Sequence, residues 1–453
     1  MPPAPYPASP AAHQAATTTA GQPATPTADE HDQSASSHQP VIGVPQLTAY
    51  YLSNLIGAGI FVLPALAQEA AGSWTLVAWL LMAICSGPAA WVMGRICIDF
   101  PNQNGILAFV GHSVSKRAEA ALSRLIVLTM IVGTPMAGLI IARYAIAAFD
   151  LSPGVLYPLG WFAMLMTLAF NLMKLRNSSR AQTLLVAVAM LVLIALAASS
   201  IGMADSVVPD DSAFSATGLM AAIGICFFAF LGWENVATIA PDVKQPERTF
   251  PIALAISVPL VSLIYLVVAL GLLLASQAHG GLQGNLAVLD HLMGRFNQPA
   301  LGLFANLLAI VVVFLSANAW ILSAARLLAS SVRDGHFPGW MADRNGFVNL
   351  RTMSRMALFH AIIFLLMYLF DGAEQTVVPL VSASFLLIYL ITLAGAIRHY
   401  RHGPTRWLAM LALLMIAAFA LSVWRESLIV LGLFVVLFLR SSAGSRHSSN
   451  PAP

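Results

Sequence analysis

The chain has 453 residues, of which 58% are hydrophobic and only 9% charged, with a formal net charge of +3. A soluble domain carries roughly 25% charged residues, so there is too little charge to cover a water-facing surface, and an integral membrane protein is expected. No Lys/Arg cluster lies on a polar segment, which excludes a nucleic-acid partner, and Cys85, Cys97 and Cys226 lie in or beside apolar runs without metal-ligand spacing.

Residues 1–40 are rich in Ala, Pro, Thr, Ser and Gln and carry only Asp29, Glu30 and Asp32 as charges. They are expected to form a disordered cytoplasmic tail, without the basic region and short apolar core of a signal peptide. Twelve apolar runs follow, at 45–67, 74–98, 121–149, 154–173, 181–203, 217–240, 250–276, 299–330, 355–371, 375–397, 405–423 and 427–440. About 20 residues are needed for a helix to cross the hydrocarbon. An all-α protein with twelve transmembrane helices is therefore expected over 41–440, with a second tail at 441–453. No run has the alternation of a membrane β-barrel.

The basic residues test this division. If the N-terminus is cytoplasmic, the even-numbered connections, their flanks and the C-terminal tail hold 19 of the 22 basic residues; the outer connections hold Arg295 and Arg425, and Arg143 alone lies within a run. Positive charge is retained on the cytoplasmic side, so both termini are expected there. A missed run would have inverted every later connection.

Run 1 contains "SNLIGAGIFVLP" (53–64) and run 6 contains "FFAFLGWEN" (227–235), each with glycine near its middle. A lone glycine in a membrane helix usually marks a packing contact. Two interruptions five helices apart instead match a transporter architecture of two inverted five-helix repeats with broken helices 1 and 6. The repeats would span about 45–203 and 217–397, with extra helices over 405–440. Unwinding frees backbone N–H and C=O groups that lipid cannot satisfy. A zwitterionic amino acid satisfies both, its carboxylate at a half-helix N-terminus and its ammonium on carbonyls.

The first of these stretches resembles the first-helix signature of the amino acid–polyamine–organocation transporters. "FFAFLGWENVATIAPDVKQPERTFPIAL" (227–254) resembles their sixth helix and following loop, and "SAARLLASSVRDGHFP" (323–338) their eighth helix and its exit. Within that superfamily the chain is most similar to the bacterial exporters of methionine and branched-chain amino acids. The resemblance implies a LeuT-like fold with alternating access in the cytoplasmic membrane. It places the carboxylate on the amides of Ala58 and Gly59 beside Gly57, and the ammonium on the carbonyls of Leu55, Phe228 and Leu231, and it implies an aromatic lid as a second role for Phe228.

Runs 3, 6, 8 and 10 are expected to line the pocket. Phe227, Phe228, Phe230 and Trp233 on run 6, with Ser316, Asn318 and Trp320 on run 8, include no acidic group to hold a cationic side chain. A pocket of that kind favours Leu, Ile, Val or Met. Glu234 is the one acid well inside a run, and such residues are expensive and often functional. It has two readings: proton coupling, or a structural clamp on the broken helix. Arg143 either snorkels to the outer interface or gates the outer vestibule. Run 5 lacks the lysine that some proton-coupled relatives place there, and a sodium ion on Ser316 and Ser323 is a further alternative to H+. The loop 241–251, with Pro241, Pro246 and Pro251, cannot be one continuous helix, and its charges form either inner-gate contacts or a solvated loop.

The leading expectation is proton-linked efflux of neutral apolar amino acids, with uptake or exchange on the same fold as the alternative. No cofactor motif, zinc-binding His-Glu-x-x-His or P-loop is present, which argues against an enzyme or a primary pump. A non-transporting sensor is the remaining class. The expected partners are a small amino acid, the bilayer and H+.

Overall fold

The computed structural model describes residues 41–101, 105–172, 179–202, 214–278, 287–294, 299–342, 349–370 and 373–444. The tail expected at 1–40 lies outside them. Every apolar run coincides with helix. Runs 2, 4 and 5 are Thr75–Asp99, Leu156–Leu172 and Ser179–Gly202; runs 7 to 10 are Pro246–Ala278, Pro299–Arg333, Leu350–Leu369 and Ala373–His399; runs 11 and 12 are Pro404–Ala420 and Trp424–Gly444. Among the described residues the only β-type pairing is an isolated bridge between Ile42 and Val243. The protein is thus an all-α membrane fold.

Three runs are interrupted. Run 1 consists of Val44–Leu55, a 3-10 turn at Ala58–Phe61, and Leu63–Ala71; run 6 of Ala216–Ala229 and a 3-10 stretch at Trp233–Asp242; run 3 of Lys116–Gly133 and Pro135–Phe149. The breaks in runs 1 and 6 lie where the paired glycines point. The third was not expected. Among the described residues, eight helical stretches are long and apolar enough to cross a membrane, or nine if Pro404–Ala420 and Trp424–Ser441, bent by 110°, form one span. Run 1 fails that test on its own because its helical pieces have 12 and 9 residues, about 18 and 14 Å at 1.5 Å per residue.

Local chemistry explains where the helices start. Ser115, Ser215 and Asn349 accept the N–H groups of Ala118, Gly218 and Thr352, satisfying donors that a helix N-terminus leaves unpaired. Proline supplies an early position of Val44–Leu55 and Pro404–Ala420, where its missing N–H costs nothing. Leu358, Leu365 and Leu369 on run 9, with Leu428, Ile429 and Leu439 on run 12, are more than half exposed. That pattern suits lipid and would be a liability in water. Between helices, buried polar pairs fix the packing: Ser123 with Ser331 (2.7 Å), Gln68 donating to Ser276 (2.5 Å), and Ser382 donating to the Gly224 carbonyl (3.0 Å).

The loop after run 6 is shorter than its prolines suggested. Gln245 takes φ +43° and the next helix begins at Pro246, so Pro251 lies within its early turns. The carbonyl of Asp242 accepts the N–H groups of Val41 and Ile42 (both 2.9 Å), and Lys244 donates to the Ile42 carbonyl (2.8 Å), tying the exit of run 6 to the entry of run 1. Glu247 pairs with Arg95 at the end of run 2 (2.8 Å); Arg95 also pairs with Asp99 (2.9 Å), which accepts from Tyr400 (2.7 Å).

Candidate functional site

The breaks in runs 1 and 6 face one another. Leaving Ala216–Ala229, the chain turns at Gly232 with φ +135°, a conformation that L side chains rarely adopt. A Cβ at Gly232 would lie 3.3 Å from the Asn54 carbonyl oxygen and 3.4 Å from its carbon, so the glycine also permits close approach of the two broken helices. In run 1, a Cβ on Gly59 would lie 2.7 Å from the Leu63 Cδ1. The 3-10 turn begins at Ala58, where the first N–H groups have no acceptor within the turn.

Between the breaks lies a cavity of about 90 Å³. Of the residues expected at the site, Leu55, Gly57, Gly59, Phe228, Leu231, Ser316 and Trp320 line it. Ala58 lies between two of these glycines, at the first position of the 3-10 turn. Trp233 lies elsewhere: it is 1% exposed and packs on Tyr51, with ring centroids 5.4 Å apart. Asn318 also lies off the lining, its side-chain oxygen buried without a hydrogen-bond partner among the described residues. Arg143 is half-buried on Pro135–Phe149, outside the lining.

Glu234 sits behind the cavity at the start of the second half of run 6. Its Oε2 accepts the Tyr389 hydroxyl (2.6 Å) and the Gly232 N–H (3.0 Å). Its Oε1 is buried and has no partner among the described residues. One oxygen therefore ties the turn at Gly232 to run 10, as a clamp would. The other is a buried acceptor, where an unpaired charge is costly.

Two tyrosines that the sequence did not single out complete the framework. Tyr265 on run 7 lines the cavity and donates to the Leu55 carbonyl (2.8 Å) while stacking on Trp79 at 4.8 Å. Tyr144 on run 3 donates to the Phe61 carbonyl (2.8 Å) and accepts the Leu289 N–H (3.3 Å), joining the end of the first break to the short helix Val288–Gly294. The available signal was a tyrosine in the interior of an apolar run, because a buried hydroxyl needs an acceptor. A broken helix supplies such acceptors in its freed carbonyls. Each carbonyl has two lone pairs, so Leu55 keeps one beyond Tyr265, and Phe228 keeps one beyond the Leu231 N–H it accepts at 3.3 Å. Tyr265→Phe is expected to weaken substrate binding about 5-fold, the order of one hydrogen bond, with the turnover rate nearly unchanged, as read from concentration dependence of uptake.

Comparison with known proteins agrees with this geometry. The family model for amino acid permeases matches residues 42–451. The L-methionine/branched-chain amino acid exporter YjeH of Escherichia coli is 27% identical over 87% of this chain and 96% of its own. The uncharacterized amino acid permease YecA of Bacillus subtilis is 23% identical over 80% of this chain and 86% of its own, and the mouse Asc-type amino acid transporter 1 is 23% identical over 78% and 69%. In the solved structures, MhsT in complex with L-phenylalanine superposes with a TM-score of 0.55 over 87% of this chain and 98% of that one, at 16% identity, which places the chain in the LeuT-like fold. With the family model covering nearly all of the helical region and a cavity between two broken helices, the chain belongs to the amino acid permease family.

Proposed function

We propose that the protein moves neutral, apolar amino acids (methionine, leucine, isoleucine and valine) across the cytoplasmic membrane by alternating access, in proton-linked efflux. The observation that carries this reading is the lining of the cavity, which among the described residues includes no charged side chain. Four of its polar side chains are turned back on the protein: Asn54 donates to the Tyr50 carbonyl (2.8 Å), Thr129 to Leu125 (2.7 Å), Thr134 to Met130 and Tyr265 to Leu55. A lysine or glutamate side chain would lose its hydration there without a partner, at a cost of several kcal/mol. An apolar side chain meets Met130, Met136, Ile140, Val378 and Phe385.

In this reading the α-carboxylate rests on the N–H groups of Ala58 and Gly59, and the α-ammonium on the carbonyls of Leu55, Phe228 and Leu231. Phe228 and Trp320 cover the substrate, and Glu234 exchanges the coupled proton. The similarity to an exporter of methionine and branched-chain amino acids supports the substrate class and the direction, and the bias of basic residues supports cytoplasmic termini. The test is counterflow in proteoliposomes with a panel of amino acids. Methionine, leucine, isoleucine and valine are expected to exchange at least about tenfold faster than lysine or glutamate, corresponding to 1.4 kcal/mol or more, and an imposed pH gradient is expected to drive net flux. Preference for lysine or glutamate would overturn the substrate class, and net flux indifferent to the gradient would overturn the coupling.

A further inference from the structure

We infer that the contact between Gly133 on run 3 and Val381 on run 10 sets the largest side chain the cavity accepts, which makes Gly133 a specificity-determining residue. The inference rests on the cavity being the amino acid site. Among the described residues run 3 supplies seven of the lining, from both sides of its interruption. Met130, Gly133, Thr134, Ala137 and Ile140 recur at helical spacing and form one stripe along the cavity. Pro135 has no N–H for the Ile131 carbonyl, so the ladder is broken within this stripe. The turn tightens there, with the Ala137 N–H donating to the Thr134 carbonyl (3.1 Å).

On that stripe Gly133 alone has no side chain. Val378, Val381 and Phe385 form the facing stripe of run 10, at spacings of three and four. The two meet where a Cβ at position 133 would lie 3.1 Å from the Val381 Cγ2 and 3.5 Å from Cγ1. Val381 is 3% exposed. Its β-branched side chain has essentially one rotamer in a helix, so it cannot swing aside. An added methyl therefore occupies cavity space or pushes Val381 into it. The neighbouring Met130 and Met136 are flexible and adapt to differently shaped side chains. The Gly133–Val381 contact is the rigid part of this wall. It discriminates by size rather than polarity, because the hydroxyls of Thr129 and Thr134 are both bonded to their own helix.

The experiment is counterflow by the purified full chain in proteoliposomes with alanine, valine, leucine, methionine and phenylalanine, read as ratios of kcat/KM. Gly133→Ala is expected to lower the leucine-to-alanine ratio about tenfold, and Val381→Ala to raise the phenylalanine-to-leucine ratio by a similar factor, the range that one or two methyl groups command in an apolar pocket. The double variant is expected to return most of the way to the wild-type order, since space removed at one position is restored at the other. Ratios within about twofold of wild type in both single variants would overturn the inference. So would a uniform loss for all five substrates that the double variant does not relieve. If Gly133→Ala fails to insert, the Val381→Ala ratio decides alone. A wild-type protein that moves none of the five would instead refute the transport reading itself.

Discussion

Gly232→Val is expected to abolish transport while leaving a folded, membrane-inserted protein. A side chain at φ +135° is strained on its own, by about 1–3 kcal/mol. The new Cβ also meets backbone of Asn54 at 3.3 Å, and backbone cannot turn away as a flexible side chain does. The break can relieve the strain only by re-twisting, which separates the carbonyls of run 6 from those of run 1. Since both sets are proposed to hold the substrate's charged ends, the loss in counterflow rate should be about 100-fold or more, equivalent to some 2.7 kcal/mol. Gly59→Val is expected to act in the same direction, because its Cβ would lie 2.7 Å from Leu63 Cδ1 in the turn beside the carboxylate position. Size-exclusion profiles of the detergent-solubilised variants check that the fold survives. Wild-type rates in both variants would refute the role of the breaks.

Glu234→Gln is expected to transport at a reduced rate and to lose its dependence on pH. The amide oxygen can still accept the Gly232 N–H and the Tyr389 hydroxyl that Oε2 accepts now, so the clamp survives while the titratable group is gone. Rates measured across pH 5 to 8, varying with pH in the wild type, should then differ by less than about twofold in the variant if this carboxyl carries the coupled proton. Tyr389→Phe supplies the complementary measurement. It removes one hydrogen bond to Oε2, and should slow transport about 5-fold while keeping the shape of the pH profile, because the carboxyl remains. A Glu234→Gln protein with the full wild-type pH profile would assign Glu234 to the clamp alone.

Much of the architecture was legible in the chain because the bilayer imposes simple rules. Long apolar runs cannot be water-facing, and every predicted run is found as helix. Glycine in runs 1 and 6 marked the breaks, since a helix interrupted at membrane depth needs residues that tolerate unusual backbone. The same reasoning passed over run 3. "VGTPMAG" has a proline as plain as any in the sequence, but Lys116–Phe149 still forms one apolar stretch of 34 residues, so nothing in its length or hydropathy distinguishes a proline-interrupted helix from an uninterrupted one. The loop after run 6 ends earlier than its prolines suggest, because Pro246 takes the first helical position, where a missing N–H costs nothing, and the helix carries on through Pro251.

The site divides along a different line. Gly57 and Gly59 were identifiable because a break leaves glycine as a local signature, whereas Leu55, Phe228 and Leu231 were implied only by the family resemblance; all five line the cavity. Trp233 and Glu234 follow immediately on the same break, yet neither lines the cavity: Trp233 packs on Tyr51, and Glu234 accepts from Tyr389 and from the Gly232 N–H of the break itself. Sequence adjacency does not determine facing where the helical period is lost.

By itself, then, the sequence determined that this protein lives in a membrane, that it is helical, and that two of its helices break at glycine. These are properties of composition and local backbone freedom, which each stretch of chain carries alone. The tertiary structure decided which groups meet at the breaks. Tyr265 reaches Leu55 across 210 residues, Tyr389 reaches Glu234 across 155, and Gly133 admits Val381. Such partners are set by helix packing at close range, where a shift of one residue along a helix turns a side chain by 100°, and no local pattern records that rotation.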